Sequence, residues 1–541
     1  MLTDISRSLT GKIFAGILLA AFVLLAYSAT LKYGYVNWDD IDYTSENPRR
    51  TDISAAGIRS IFSTSHLGLY HPLTILSFSV EKAIFGQDPF VRRLDNLLLH
   101  IANTALVFLV FILLGAGTGV AFWTSLLWAV NPVHTESVAW IAERKNLLYA
   151  FFYLAALVFY VRYTGNKRPA YYAASLIIFL CSLFAKPAAV TFPFTLLVID
   201  IFLERPADKR LLREKAPFFL LGGIFAAVAV AVQAHTGQPP LKPYPHASFV
   251  FYVQNFFLPF GLSAFYPYVE MAADFSRSFF RYALASAALL ALTVWAARKH
   301  KNFAFGFMLF IVNIFPFLFL VPAGEIMTAD RYLYIAGIGL AFIPAAFFRA
   351  IADNRPARCA LFIMLLTSLA FAWTLQARNR AGIWKNGQTL WASILERYPD
   401  NETANLGMAN ACFRGKMPAC YQDYLARTLR INPYSTEAVS LLAISYALSG
   451  KTGLAEDLLK KAVAAAPANP RLLFNLSVLY HRTGKYALAE KTLREILLLN
   501  PAHPQALNNL FWLYSHTGVC GKAKCSDTLE PGLKRRLEKY L

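Results

Sequence analysis

The sequence predicts an all-α protein in two parts, a polytopic membrane helix bundle followed by an α-solenoid of repeats. Three observations carry this. Hydrophobic residues fill 57% of 541 positions and charged residues 16%, against about 45–50% and about 25% in a soluble domain. Apolar runs of about 15–20 residues recur through residues 1–378, each enough or nearly enough to cross a hydrocarbon core of roughly 30 Å. Beyond them, several residue types recur with one fixed period. The mean hydropathy of +0.42 excludes a disordered or wholly soluble chain. The 15% aromatic content suits lipid-facing and interfacial surfaces.

The first run, 13–29, follows Arg7 and Lys12. It could end in signal-peptide cleavage after Ser28, but the many later runs favour an uncleaved anchor. Further runs lie near 97–114, 119–133, 146–163, 170–185, 188–203, 217–234, 281–297, 303–321, 332–350 and 359–376, making about eleven spans. Residues 249–269 are apolar but interrupted by Pro259, Gly261 and Pro267, and read as re-entrant or interfacial.

A net charge of +20 in a soluble protein would point to nucleic acid. Here the basic residues cluster in short loops: Lys167/Arg168, Arg205 to Lys215, Arg298/Lys299/Lys301, and Arg349/Arg355/Arg358. That is the positive-inside pattern, so no nucleic-acid partner is expected and the N-terminus is predicted to be cytoplasmic. An odd number of spans places the C-terminal part outside. Residues 31–96, 131–146, 235–280 and 322–331 share that outer side.

The solenoid is read from register. Pro399, Pro433, Pro467 and Pro501 are each 34 apart. So are Gly450, Gly484 and Gly518, and Tyr446, Tyr480 and Tyr514. Leu442/Leu476/Leu510 and Ala455/Ala489/Ala523 keep the same phase. This is the tetratricopeptide signature, in which small residues let paired helices approach and larger ones fill between them. The first repeat is degenerate, with Cys412 in place of Tyr and Lys416 in place of Gly. The predicted boundaries are a membrane domain over 1–378, a linker over 379–401 and a repeat domain over 402–541. Stacked repeats form a groove that suits a peptide or protein.

Of six cysteines, Cys412, Cys420, Cys520 and Cys525 fall in the repeat part as two close pairs. They are candidate disulfides if that part faces an oxidising compartment, and free thiols otherwise. No metal-ligand spacing, Walker loop or Rossmann fingerprint is present, so no cofactor is expected and no metal site is assigned.

The chemistry-bearing residues gather on the outer side. Val36-Asn37-Trp38-Asp39-Asp40 follows the first run. Adjacent carboxylates raise one another's pKa, which can poise a general base, so Asp39 and Asp40 are the catalytic candidates. The loop from Asn131 holds His134, Glu136, Glu143, Arg144 and Lys145. Its cations run against the charge trend, so an anion should face them: a lipid phosphate, Glu143 or the acidic pair. Lys186 and Arg331, at the outer ends of other runs, can join Arg144 and Lys145 around one anionic group. His71, in the Tyr70-His71-Pro72-Leu73-Thr74 segment, is a candidate for orienting substrate, as are His134 and Glu136.

The order of these segments, VNWDD, HPLT, NPVHTESVAWIAERKN, AKP, DRYLY and then the repeats, resembles the transmembrane and tetratricopeptide-repeat-containing (TMTC) O-mannosyltransferases and their bacterial relatives. The resemblance covers nearly the whole chain. It implies a GT-C-like multi-span enzyme using a polyprenyl-phosphate-linked sugar, with an acidic residue in the first outer loop, here Asp39 or Asp40. It further implies transfer of mannose or another hexose to Ser or Thr of an extracytoplasmic protein, donor phosphate at Arg144, Lys145, Lys186 and Arg331, and contact with membrane lipid. A bacterial inner membrane with periplasmic repeats fits the expected topology. The alternatives are a non-enzymatic membrane-anchored scaffold or chaperone, which needs only one span, and a transporter of a lipid-linked sugar, for which matched halves are not evident.

Overall fold

The computed structural model describes residues 9–44, 53–234, 244–319, 326–352 and 356–517. The chain divides into two compact units, Met1–Ile394 and Leu395–Leu541.

Each of the eleven apolar runs forms a helix over most of its described residues. Among the described residues, seven helical segments are long and apolar enough to cross a membrane: Leu9–Lys32, Pro89–Leu113, Ile141–Asn166, Lys209–Gln233, Phe279–Lys299, Lys301–Phe319 and Ala357–Lys385. They mark an integral-membrane protein. The other runs form Thr118–Ala129, Pro169–Ala185, Phe192–Phe202 and Leu333–Ala352. Three of these stop short for local reasons. Thr118–Ala129 ends just before Asn131, whose side chain accepts from the Val133 amide and starts a new 3-10 turn at Pro132. Pro169–Ala185 and Phe192–Phe202 are separated by the 3-10 turn Pro187–Thr191.

Close packing shows best where two helices cross at glycine. A Cβ on Gly339 would lie 2.1 Å from the Gly306 carbonyl oxygen, and one on Gly306 would lie 2.7 Å from that of Gly339. Only glycine at both positions lets Lys301–Phe319 and Leu333–Ala352 come this near, the small-residue contact expected of helices in lipid.

Two expectations about the connections change. Residues 131–146, expected as an outer loop, are buried throughout and fold into short helical turns inside the unit. Residues 379–401, expected as a linker, are mostly packed helix. Pro356–Ala381 continues into the 3-10 turn Gly382–Lys385 and the helix Gly387–Leu395, and Trp384, Leu390, Trp391 and Ile394 are buried. Their apolar side chains are few but large, which is enough to anchor a short helix and too sparse to read as a span.

The 249–269 segment begins in the helix Pro245–Phe257, which stops ahead of Pro259. At 13 residues it reaches about 20 Å, less than a bilayer core. The strand Tyr266–Pro267 then pairs antiparallel with Ile326–Thr328, with Tyr266 opposite Thr328.

The second unit is a series of antiparallel helix pairs: Glu402–Arg414 with Pro418–Ile431, Thr436–Leu448 with Thr452–Ala465, Pro470–Arg482 with Tyr486–Leu499, then Pro504–Thr517. The 34-residue register maps onto this packing. Leu442, Leu476, Leu510, Ala455 and Ala489 are buried. Gly450 and Gly484 take left-handed turns with φ of 77° and 73°. In the degenerate first repeat Lys416 occupies the same left-handed region, with φ 57°, at a cost of about 1–2 kcal/mol relative to glycine. A disulfide between Cys412 and Cys420 closes that turn, with Cα atoms 5.8 Å apart. Cys520 and Cys525 lie outside the described residues.

Candidate active site

The first helix leaves the bundle through a 3-10 turn, Ser28–Lys32, and the chain then passes through an irregular stretch and a bend over 37–39 to Asp40, which opens the short helix Asp40–Thr44. The adjacent carboxylates meet opposite fates. Asp40 is fully buried, and both its oxygens accept backbone amides: Oδ2 from Val36 at 3.0 Å and Oδ1 from Ala142 at 3.0 Å. Burial pushes its carboxyl up to about 6, against the opposing pull of Arg93 and those two amides. Asp40 therefore staples the first loop to the buried 131–146 segment. Asp39 is partly exposed. Burial raises its pKa, while the charges of Lys145 and Arg331 pull it back and those of Glu143 and Asp42 add to the rise.

Three cations converge on Glu143. Lys145 Nζ lies 2.8 Å from Oε1, Lys186 Nζ lies 3.5 Å from Oε2, and Arg331 Nε lies 3.6 Å from Oε1. Each cation has a second support. Lys145 donates to the Ala142 carbonyl at 3.1 Å and lies over the Tyr43 ring, 4.9 Å from its centroid. Lys186 donates to Asn146 Oδ1 at 2.8 Å. Arg331 pairs with Glu136 through its guanidinium, and its backbone amide donates to Glu136 Oε2 at 3.0 Å. Asn146 ties the arrangement together by donating to the Arg331 carbonyl and to Ser137 Oγ, each at 2.8 Å. Lys186 is pulled down to about 8, mainly by burial, with the neighbouring cations acting in the same direction.

The structure thus brings together Asp39, Lys145, Lys186, Arg331 and Glu136 from four distant stretches of sequence. It does not bring Arg144 to them. The Arg144 fork is held by Glu81, at 2.6 and 3.2 Å, and its guanidinium lies over Phe78, 4.1 Å from the centroid. Arg92 reaches the same Glu81 oxygen at 2.9 Å. Successive residues on a helix point about 100° apart, and here Arg144 turns to Glu81 while Lys145 turns to Glu143.

His71 borders the cluster. It precedes the helix Pro72–Phe85, its Nε2 is 3.1 Å from the Tyr43 hydroxyl, and burial with the charge of Lys145 holds it well below the usual imidazole range. It is therefore neutral near neutral pH. His134 corrects the expectation for it. It is buried between Trp128 and Tyr334, with ring centroids 5.3 and 5.2 Å away, and both its ring nitrogens lack a hydrogen-bond partner. It is an aromatic packing residue, held against the indole and phenol rings. Glu136 acts on Arg331, which it aims.

Several site residues escaped the sequence reading. Trp140 lies beneath two of the cations, its ring 5.4 Å from Lys145 Nζ and 5.7 Å from the Arg331 guanidinium. It stacks on Trp38 at 4.8 Å and on Trp384 at 5.1 Å. Arg93 is buried and donates to four backbone carbonyls, of Tyr33, Gly34, Ala139 and Trp384. Asp330 turns away from neighbouring Arg331 to pair with Arg380 at 2.8 Å and to accept from Tyr266 at 3.0 Å. Burial raises Asp330 to about 7. The run of carbonyl acceptors around Arg93 has no local sequence signal.

A partly exposed carboxylate within reach of the charges of Lys145 and Arg331, in a cluster that also holds Lys186, can take a proton from a hydroxyl while an anionic leaving group is stabilised. Among the described residues, no group of three His, Cys, Asp or Glu side chains is placed to hold a metal ion.

A tetratricopeptide-repeat family model matches residues 446–510. Protein O-mannosyl-transferase TMTC1 of Homo sapiens is 25% identical over 475 residues, 73% of this chain and 52% of the relative. Protein O-mannosyl-transferase F38B6.6 of Caenorhabditis elegans is 25% identical, over 63% of this chain and 51% of the relative. Protein O-mannosyl-transferase TMTC2 of Homo sapiens is 36% identical over 146 residues, 25% of this chain and 17% of the relative. The chain thus spans about half the length of the relatives it matches most extensively. Among solved structures, MamA is 17% identical, covering 28% of this chain and 80% of that one, with a TM-score of 0.23. Over much of its length the chain is homologous to proteins named O-mannosyl-transferases, in keeping with the motif resemblance.

Proposed function

We propose that the chain is an integral-membrane glycosyltransferase of GT-C type. It moves mannose, or another hexose, from a polyprenyl-phosphate-linked donor to a Ser or Thr hydroxyl of a protein acceptor. The single observation that supports this most is the partly exposed Asp39 beside the cluster of Lys145, Lys186 and Arg331. The names of the relatives point the same way.

In the step, the acceptor oxygen attacks the anomeric carbon as its proton passes to Asp39. The bond from that carbon to the donor phosphate oxygen breaks. The electron pair leaves with the polyprenyl phosphate, and Lys145, Lys186 and Arg331 stabilise the charge that builds there. One displacement inverts the anomeric centre and needs no covalent enzyme intermediate. Asp40, fixed by two amides, positions the loop and stays out of proton transfer. The lipid chain would lie among the apolar helices, and the repeats would hold the acceptor polypeptide. The positive-inside pattern favours a cytoplasmic N-terminus, with the Asp39 end and the repeats on the far side, periplasmic in a bacterial inner membrane.

The test is transfer from a panel of polyprenyl-phosphate hexoses to Ser/Thr peptides by wild type, Asp39→Asn and Asp40→Asn. Asp39→Asn should lose about 100-fold or more of the rate, the lower end of what a positioned base supplies, with its thermal midpoint unchanged. Asp40→Asn should instead lose stability, about 1–3 kcal/mol, because a side-chain NH2 would then face a backbone amide. Wild-type rates in Asp39→Asn would sink the assignment.

A further inference from the structure

We infer that Glu143 is a positioning residue, a buried anion that gathers Lys145, Lys186 and Arg331 at one point before any donor arrives; this rests on the function proposed above. Glu143 sits in the 3-10 turn Ile141–Glu143, directly ahead of the helix Arg144–Asn166. It is 1% exposed. It touches no solvent in which a donor could meet it, so its place is behind the cations.

Geometry sets its role. Three cations drawn to one place repel one another, and each comes from a different part of the chain: Lys145 from the start of a helix, Lys186 from the end of another, Arg331 from a separate 3-10 turn. Among the described residues, Glu143 is the one carboxylate in ion-pair distance of all three, at 2.8, 3.5 and 3.6 Å. Its Oε2 accepts no hydrogen bond; Lys186 reaches it only at ion-pair range. The Lys186 ammonium instead hydrogen-bonds Asn146 Oδ1. The cluster is therefore held by charge more than by saturated hydrogen bonds, which leaves donor capacity on the cations for an incoming phosphate. Preorganised cations stabilise a leaving group without rearranging during the reaction.

A charge argument separates this role from mere support. Glu143 also repels a phosphate at the same cations. Neutralising it should tighten binding of the phosphate while misplacing the groups that act in the transition state. A residue that only holds the fold together would lower the active fraction and leave phosphate affinity as it was.

The experiment uses the full chain in detergent or nanodiscs, with polyprenyl phosphate as the binding probe and polyprenyl-phosphate-mannose as the donor. Glu143→Gln should lower kcat about ten-fold or more, while polyprenyl phosphate binds several-fold more tightly, with a steeper dependence on salt. Glu143→Asp keeps the charge but shortens the reach, so kcat should fall with phosphate affinity unchanged; it serves if the glutamine variant does not fold. Wild-type kcat in either variant overturns the inference. So does a loss of kcat in Glu143→Gln with unchanged or weaker phosphate binding. Failure of wild type to transfer any sugar would overturn the function proposed above, and the binding comparison would still judge Glu143.

Discussion

One helix, Arg144–Asn166, carries a buried ionic cluster at each end, and the two are built differently. Tyr160 and Lys145 are separated by about 22 Å of helix. At the far end, Asp200 is saturated. Tyr160 donates to it at 2.7 and 2.9 Å, Arg205 at 2.9 Å, and Lys215 lies 2.7 Å away. Arg205 is itself held by Glu214 at 2.7 Å. Every strong group there has found its partner within the protein. At the near end, Glu143 is shared among three cations with one oxygen unbonded, and Asp39 stands partly open beside them. Burial of charge is common to both ends. What distinguishes a latch from a site is unfilled capacity in the cluster.

This contrast can be broken most forcefully at the far end. Lys215→Met should cost about 3 kcal/mol of stability by stranding part of the charge of Asp200. The rate per folded molecule should not change. Thermal unfolding read beside transfer rates would decide it, and a variant of normal stability with impaired transfer would reverse the two roles. Next in size is Arg331→Lys at the near end. Lysine keeps the charge but cannot contact Glu136 and Glu143 with separate nitrogens, so transfer should fall about ten-fold while the unfolding midpoint moves little. A stability loss as large as that of Lys215→Met would make Arg331 a latch residue too.

The smallest effect is a divergence with pH. The carboxyl of Asp39 is raised by burial, so its base form is lost at a higher pH than for a free aspartate, near 4. The transfer rate should fall as pH drops through that raised value. Asp40 is raised to about 6 from 3.8. Its raised folded pKa means the fold favours the protonated form, so that stabilisation is complete below 3.8 and is lost as pH rises through about 6. On acidification the rate should therefore fall through the raised Asp39 value, while the contribution of Asp40 to stability grows as pH drops through about 6. Parallel decline of rate and thermal midpoint would tie the acid limb to unfolding.

The periodic parts of the molecule were legible. Eleven apolar runs are eleven helices, and Pro, Gly, Leu and Ala at a 34-residue spacing mark the turns and buried faces of the repeats. Lys416 was visible as an oddity in the repeat pattern and is one physically, in a backbone region that favours glycine. The site was legible only as a list of polar residues near one end of the bundle. Which of Asp39 and Asp40 is stapled depends on the Ala142 amide, 102 residues away. Which of Arg144 and Lys145 meets the other cations depends on helical phase, and Glu81 decides it by holding Arg144. His134 sits among polar residues in the sequence and proves to be packing, because that stretch folds inward. Patterns of period show faces; they do not show partners across hundreds of residues.

The clasp between the two ends of the first unit bears on how the protein is made. The Gly34 amide donates to the Lys385 carbonyl, Arg93 to that of Trp384, and Trp391 Nε1 to Asn37 Oδ1, the last a separation of 354 residues. The loop that carries Asp39 leaves a ribosome well ahead of its fastenings, which are the last of the unit to appear. At about 5–20 residues per second, that loop waits roughly 20–70 s beside a growing set of membrane helices before it can be locked. A nascent chain released early would hold every candidate acid and cation and still have no closed site, so assembly of the bundle itself times the onset of reactivity.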